Sequence, residues 1–506
     1  MNLRDLCFEL QNPSWSGGSG NRKFSIANRK PRMPPLIATL IFVAGILGLF
    51  WLDRDPGARS SKALWIPTVW LLIAGSRPVS LWFQAGPTVQ SVETYNVEAN
   101  PTNVVIFSVL LAAGLIVLFH RGQQVGTFLQ ANWPILLFFS YCALSTLWSD
   151  YPAAAFRKWI KSLGDLVMVL IVLTDFEPMA ALKRLLARAG FLLLPLSVLF
   201  IKYYPDLGRS YSISWELTYS GVTQQKNSLG LVCLVLGLGF LWQFLKHYQT
   251  KGEPQRGRHL LAQGVILAMV IWLLWMSNSV TSLSCFLLAG GMIIITARTR
   301  PGRKPMNVHL LVAALVCLPL FALFLDPSGH VVESLGRNPT LTGRTEIWHQ
   351  VLGMVRNPLF GTGFESFWLG DRIQAMWEDN PNLMLNEAHN GYLEVYLNLG
   401  WCGITLLAVL ILTGYRNVLV ACRREPDTGR LRLAYFSAAL VCNLTTAQFR
   451  MATPAWIFFL LAIMAVPEPV APEGPRGLGI DHRENFTDCE SEVQHAFTAG
   501  LHEGTI

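Results

Sequence analysis

The sequence predicts an all-α, polytopic integral membrane protein built as a helical bundle. Three observations carry this. The 506 residues are 52% hydrophobic and only 14% charged, where soluble globular chains carry roughly 25% charge. Apolar runs near the ~20 residues that cross a bilayer recur along almost the whole chain. The runs are continuous rather than alternating, which excludes a transmembrane β-barrel, whose strands alternate in segments of about ten residues. Length over ~150 would suggest several domains, but a helical bundle of this size is one unit. The net charge of +8 is first a topology signal, since no basic soluble face of the kind that binds nucleic acid is evident. Nine cysteines are scattered without a CxxC pair, six of them (Cys142, Cys233, Cys285, Cys317, Cys402, Cys442) inside apolar runs. They read as small buried apolar residues rather than as disulfides or metal ligands.

Taken in order, spans are predicted near 36–52, 63–75, 102–119, 133–148, 163–174, 186–202, 228–245, 260–276, 281–297, 308–325, 392–414, 433–447 and 454–466. That makes about 12–13 transmembrane helices, because the pieces at 63–75, 163–174 and 454–466 are short. Lys and Arg in short loops set the orientation. Lys183, Arg184 and Arg188, then Lys246, Lys251, Arg256 and Arg258, then Arg298, Arg300, Arg303 and Lys304, then Arg416, Arg423, Arg424, Arg430 and Arg432 mark four cytoplasmic segments that agree with one another. The loops 76–101, 203–227 and 326–391 then fall on the far side, which is the periplasm in a bacterium. The last is the one sizeable extramembrane segment.

The N-terminus does not fit this count. Residues 1–35 fall outside, yet hold Arg4, Arg22, Lys23, Arg29, Lys30 and Arg32. Either the first span does not cross, or the tail is unusual, or translation begins at Met33. The tail is rich in Ser, Gly and Asn and reads as disordered; it lacks the apolar core of a signal peptide. Residues 467–506 look equally unstructured. The transmembrane domain is therefore 36–466.

Positive-inside bias thins out cations on the far side, so those that remain need a reason. Loop 203–227 holds Arg209 and Lys226 among aromatics; loop 326–391 holds Arg337 and Arg344; segment 149–162 holds Arg157, Lys158 and Lys161. Arg and Lys suit a diphosphate, which they hold by charge-assisted and often bidentate hydrogen bonds. The plain alternative is snorkelling to lipid headgroups. Arg209 and Arg344 favour a functional reading because each sits in a Gly- and aromatic-rich loop rather than at a simple helix end.

The stretch "NEAHNGYLEVYLNLGWCG", 386–403, is the second feature. On a helix, His389, Tyr392, Tyr396 and Gly403 share one face, and Asn390, Glu394 and Asn398 form a polar stripe beside it. Such a stripe on a membrane helix faces the bundle interior or a water-filled cavity. Glu387 adds a further carboxylate. A metal site is not indicated: there is one histidine here, no HExxH and no second ligand at suitable spacing. A neutral imidazole suits general-base activation of a hydroxyl, although an isolated interfacial histidine ordinarily does no more than hydrogen-bond. Cations suited to a diphosphate and a base suited to a sugar hydroxyl thus lie at one membrane face. That pairing suggests transfer from a lipid diphosphate donor to a glycan hydroxyl, and does not by itself exclude a transporter with an outward-facing polar site.

The pieces "GRTEIW", "NPLFGTGFESF" and "EAHNGYLEVYLNLGWCGI" within 343–404 resemble the signature region of the O-antigen ligase-related family, which includes O-antigen ligases and lipid-linked polysaccharide polymerases. "GVTQQKNSLG" (221–230) resembles its Lys-Asn element. "ALWIPTVWLLIAGSRPVSLW", "LSTLWSDYPAAAFRKW" and "LPLSVLFIKYYPDLGR" resemble a branch that contains exopolysaccharide production proteins. The resemblance spans roughly 33–466. It implies a metal-independent, inverting glycosyltransferase of the GT-C type in the inner membrane, without a cofactor. Its donor would be an undecaprenyl-diphosphate-linked glycan and its acceptor a glycan or a lipid, with other polysaccharide assembly proteins as partners.

By the same resemblance His389 is the base that activates the acceptor, and Arg209 and Arg344, with Lys226 and Arg157, hold the diphosphate. Glu387, Asn390, Tyr392, Glu394 and Tyr396 line the substrate, and loop 326–391 acts as a lid offering Trp348, Trp368 and Trp377 to sugars. One departure is "MSNSVTSLSCF" (276–286), which lacks the Arg of the family's Ser-Arg pair. The rival readings are a transporter or flippase-like carrier of lipid-linked sugars, which would need paired broken helices near the bilayer midplane, and a scaffold in an assembly complex.

Overall fold

The structure is a computed structural model. It describes residues 33–55, 57, 60–83, 100–211, 216–252, 255–298, 309–310, 312–313, 344–379 and 386–466. The predicted tails before 33 and after 466, most of the span 308–325 and the loop residues between 314 and 343 lie outside the described residues.

The apolar runs form helices because twenty or so residues without water must satisfy every backbone N–H and C=O within the segment. In chain order these are α1 (Pro35–Leu52), α2 (Trp65–Ala74), α3 (Pro101–His120), α4 (Gly122–Ala131), α5 (Trp133–Ser145), α6 (Pro152–Leu173), α7 (Pro178–Tyr203), α8 (Lys226–Gln249), α9 (Arg256–Ser277) and α10 (Val280–Arg298). There follow α11 (Arg344–Gly353), α12 (Asp371–Asp379), α13 (Gly391–Arg424), α14 (Pro426–Cys442) and α15 (Pro454–Ile463). Pro stands at the first turn of α1, α3, α5, α6, α7, α14 and α15, where its missing N–H costs nothing. Between α7 and α8 a short hairpin pairs β1 (Arg209–Tyr211) with β2 (Leu217–Tyr219), Arg209 opposite Tyr219.

Seven described helices, α1, α3, α7, α8, α9, α10 and α13, are long and apolar enough to cross a membrane, or eight if α4 and α5, bent by 89° at their junction, count as one span. The chain is a multi-pass helical membrane protein. The predicted spans near 63–75, 433–447 and 454–466 are helices too, but short: α2 and α15 have 10 residues and α14 has 17. All ten residues of α15 are buried, so it is wrapped by other helices rather than by lipid. The predicted span 163–174 is the end of the 22-residue α6, whose first half carries Arg157, Lys158 and Lys161.

Side-chain ties at the helix ends sort the bundle into two faces. At one face Lys246 lies 3.9 Å from Asp427, Asn132 receives the N–H of Ala465 at 2.7 Å, and His259 lies 3.3 Å from Asp53. At the other, the hydroxyls of Thr39 and Tyr204 are 2.8 Å apart, Gly391 N–H donates to Asn443 O at 2.8 Å, and Thr281 meets Thr445 at 2.8 Å. Residue 35 therefore starts α1 at the His389 end, as the alternation of spans requires. The described cysteines are free thiols, five of them buried and Cys402 half-buried.

One break in a helix organises the functional face. Within α13, Gly400 has φ 64° and ψ −163°, a region that is essentially glycine's alone. The loop 357–370 fills the break. Trp401 N–H donates to Pro358 O at 2.9 Å and Cys402 N–H to Leu359 O at 3.1 Å; Thr362 and Gly363 N–H return to the Leu397 and Asn398 carbonyls at 3.2 and 2.8 Å. A hydroxyl from Tyr141 takes Leu399 O at 3.0 Å. The backbone groups that a membrane helix loses at a break are thus recovered from this loop, which is why "NPLFGTGF" must be glycine-rich: a Cβ on Gly361 would lie 2.5 Å from the Asn398 backbone. Gly400→Ala is expected to lower the yield of folded protein sharply. Its Cβ would meet Leu359 O at 2.3 Å, on top of about 1–3 kcal/mol of backbone strain. Gly291→Ala, with open space around it, is the neutral comparison; equal thermal stability of the two variants in detergent would contradict this account.

Candidate active site

The described parts of loop 326–391 fold as a small cap with its own apolar core. Ile347 and Val351 from α11, Ile373 and Met376 from α12, and Phe367, Trp368, Ala388 and Leu397 pack together. The cap is pinned to α13 by the stripe that the sequence placed there. Asn390 is the N-cap, its Oδ1 accepting from the N–H of Tyr392 and Leu393 at 3.0 Å each. Glu394 is buried, and accepts from Trp368 Nε1 at 3.0 and 2.9 Å and from Ala388 N–H at 2.5 Å. Asn398 Oδ1 accepts from Ser366 and Phe367 N–H at 2.8 and 3.0 Å. The stripe faces the loop, and its polar groups are satisfied by protein.

This arrangement corrects two expectations. His389 is not on the helix. It precedes the N-cap with φ 53°, so no helical face joins it to Tyr392, Tyr396 and Gly403, and the break at Gly400 interrupts that face again. Nor are all the cap's tryptophans open for stacking: Trp368 is buried on Glu394, whereas Trp348, whose Nε1 donates to Ala388 O at 2.8 Å, and Trp377, packed against the cap core, are half-buried. Tyr392 donates to Leu440 O at 3.0 Å and packs on Phe449, while Tyr396 packs on Trp401; both are held in packing.

At the mouth of α13 a charged chain assembles. His389 Nδ1 lies 2.7 Å from a carboxylate oxygen of Glu387. The other oxygen of Glu387 lies 3.4 Å from Arg450, whose second nitrogen lies 3.3 Å from Glu365. Lys158 Nζ donates to the Glu365 carbonyl at 2.8 Å, which brings the basic start of α6 to the same place. Asp165, about two turns further into α6 than Lys158, accepts from Trp70 Nε1 at 2.8 Å and from Ala452 N–H at 2.7 Å. It thereby anchors the 443–453 segment that carries Arg450. Asn443 closes that segment, its Oδ1 accepting from Gln448 and Phe449 N–H at 2.9 Å each.

Burial alone would raise the Glu365 carboxyl, but Arg450, Lys158 and Lys161 outweigh it and hold it below the ordinary glutamate value. Reciprocally, Glu365 above all holds the Arg450 guanidinium charged; burial opposes, and Glu394 and Glu387 add to the effect. Four non-glycine residues have positive φ among the described residues: Asn278, Glu365, His389 and Ala452. Three of them belong to this one cluster, and strain of that kind persists where surrounding structure over-determines it, frequently at functional sites. Beside it, Glu365, Glu394, Asn398 and Arg450 line a cavity of about 30 Å³, room for a water.

The predicted diphosphate ligands are distributed over several elements. Arg157 is exposed on α6, one residue before Lys158. Arg209 belongs to the β-hairpin, where its Nε donates to Ile201 O at 3.1 Å and its guanidinium stands 5.9 Å from the Tyr219 ring centre. Lys226 begins α8 and is half-buried. Arg344 opens α11, with its side chain outside the described part. Glu365 and Arg450 were not singled out by sequence. The signal for Arg450 was present: a lone cation in a short segment, 448–453, between two apolar runs at the far face, the argument already applied to Arg209.

A helical membrane bundle with a capped, charged site at one face is the class that fold and site define. Residues 264–408 match the family model described as O-antigen ligase. The chain is 27% identical over 340 residues to the exopolysaccharide production protein ExoQ of Rhizobium meliloti (strain 1021), covering 63% of this chain and 74% of that protein. It is 22% identical over 350 residues to a putative polysaccharide ligase of Rickettsia bellii (strain RML369-C), covering 66% and 80%. Over this region, and in its likeness to these two proteins, the chain is similar to the O-antigen ligase-related family.

Proposed function

We propose that the protein transfers or polymerises glycan from an undecaprenyl-diphosphate-linked donor onto an acceptor hydroxyl at the periplasmic face of the inner membrane. The observation that carries this reading is the His389–Glu387–Arg450 chain at the mouth of α13, of which His389 and Glu387 lie inside the matched region. With Nδ1–H donating to Glu387, the Nε2 lone pair of His389 is the acceptor of a proton. The acceptor hydroxyl attacks the anomeric carbon as its proton passes to Nε2. The bond from that carbon to the diphosphate oxygen breaks, and the diphosphate leaves with the electron pair. One displacement inverts the anomeric centre and needs no metal. Cations at this face, among them Arg157, Lys158, Arg209, Lys226 and Arg344, offset the charge growing on the leaving group.

A carrier of lipid-linked sugars is the competing reading. Broken helices in carriers expose backbone groups to an ion or substrate, whereas the groups freed at Gly400 are taken by the loop 357–370. Purified protein given a lipid-diphosphate oligosaccharide and a defined acceptor is expected to form product with inverted anomeric configuration, read by NMR, in the presence of EDTA. Transport into vesicles without any product would overturn the reading. An acceptor that is another lipid-linked repeat defines a polymerase; lipid A core or a protein side chain defines a ligase.

A further inference from the structure

A second concavity opens along the loop 357–370. It has a volume of 360 Å³ and is lined by Trp148, Asp150, Phe360, Thr362, Arg356 and Arg372 among others, within the ~300–1,000 Å³ range of ligand sites. Its wall is the stretch Gly361–Thr362, while Phe364 and Glu365, two residues on, line the small cavity beside the charged cluster. One loop therefore contributes residues to both spaces.

We propose that this groove is a saccharide subsite, which holds sugar residues of the glycan away from the reacting end. The proposal rests on the transferase reading and adds a place and a specificity to it. The groove offers an aromatic platform: Trp148 and Phe360 are 37% and 41% exposed, with ring centres 5.8 Å apart at 60°. Rings with one face open suit the C–H faces of a pyranose. Beside them stands a rigid polar fork. Arg372 donates to the Phe367 and Ser366 carbonyls at 3.1 Å each and to Asp150 at 2.6 Å, so the exposed Asp150 carboxylate is held in place as a hydroxyl acceptor.

The same contacts disfavour a phosphate headgroup. The guanidinium of Arg372 is already engaged by two carbonyls and a carboxylate, and Asp150 would repel an anion entering between it and Arg356. The groove thus suits a polyol better than a phosphate.

The probe is the oligosaccharide mixture released from the host's own surface polysaccharide by partial acid hydrolysis. Saturation-transfer NMR with the full-length protein in detergent is expected to show transfer to sugar protons. The signal should fall at least five-fold in Trp148→Ala, be largely kept in Trp148→Phe, and persist in His389→Asn. An unchanged signal in Trp148→Ala, no signal with wild type, or displacement by dioleoyl phosphatidylglycerol would overturn the proposal, the last in favour of a lipid headgroup site. Loss of the transferase reading would be seen separately, as full activity in His389→Asn with sugar binding intact.

Discussion

Replacing His389 is expected to reduce glycan transfer by about 10²–10⁴-fold, the usual worth of a general base, with little change in stability. The choice of replacement follows from the backbone. His389 has φ 53°, a region that Asn tolerates better than most residues. His389→Asn therefore removes the base without straining the turn into α13, whereas His389→Ala adds a backbone cost. The imidazole is 31% exposed and its hydrogen-bond partner is Glu387, so few packing contacts are lost. Glu387→Gln should weaken transfer to a smaller degree, because an amide still holds Nδ1–H but no longer stabilises the imidazolium that forms. Wild-type rates in both His389 variants, measured with purified protein and lipid-linked donor, would remove His389 from the mechanism.

Arg450→Ala is expected to cost up to about 3 kcal/mol, the low end of the penalty for breaking one partner out of a buried ion pair, because the Arg450 side chain is itself 28% exposed. Arg450 lies between Glu365 and Glu387 at 3.3 and 3.4 Å, and the Glu365 side chain is 9% exposed. Without Arg450, Lys158 and Lys161 remain to oppose the desolvation of Glu365, so Arg450→Lys should recover part of the loss. Activity should fall together with stability, since Glu387 loses the group that fixes it behind His389. The pH dependence has a definite sign. Glu365 is depressed in the folded protein, so its stabilisation is complete above the ordinary carboxylate range and disappears as pH falls through the folded value. Thermal unfolding of wild type across pH 3–7 should show a fall in midpoint on the acid side that is smaller in Glu365→Gln. An Arg450→Ala protein with the wild-type midpoint would show that the cluster contributes nothing to stability.

The membrane class was legible because a bilayer imposes its requirement on each segment separately. A run such as 228–245 must be helical whatever surrounds it, and α8 (Lys226–Gln249) contains it whole. The number of spans was less legible. Hydropathy cannot distinguish an apolar run facing lipid from one enclosed by other helices, and the ten buried residues of α15 are of the second kind. The alternation of basic loops puts the start of α1 at the His389 end, where the structure also has it, although the basic residues before Met33 run against that count.

The site was legible in part for the same reason. His389 and Glu387 are two residues apart in sequence, and their contact needs only a turn. Glu394 and Asn398 were visible as a costly stripe on an apolar helix, but what satisfies them, Trp368 and the N–H groups of Ser366 and Phe367, comes from a loop some thirty residues away. The same holds for the turn in α13: Gly400 can be read as a helix breaker, yet not as a slot for Leu359.

By itself, then, the sequence determined that this chain is a helical membrane protein, which ends of its helices share a face, and that a histidine and several cations stand at that face. These follow from local hydropathy, charge and short-range turns. Only the tertiary structure decided that the polar stripe grips a cap and that Arg450 bridges Glu365 and Glu387. It also decided that His389 sits off the helix in a left-handed turn. Each of those is set by where a distant segment meets α13, and a buried charge or an unpaired backbone group finds its partner by proximity in space rather than along the chain.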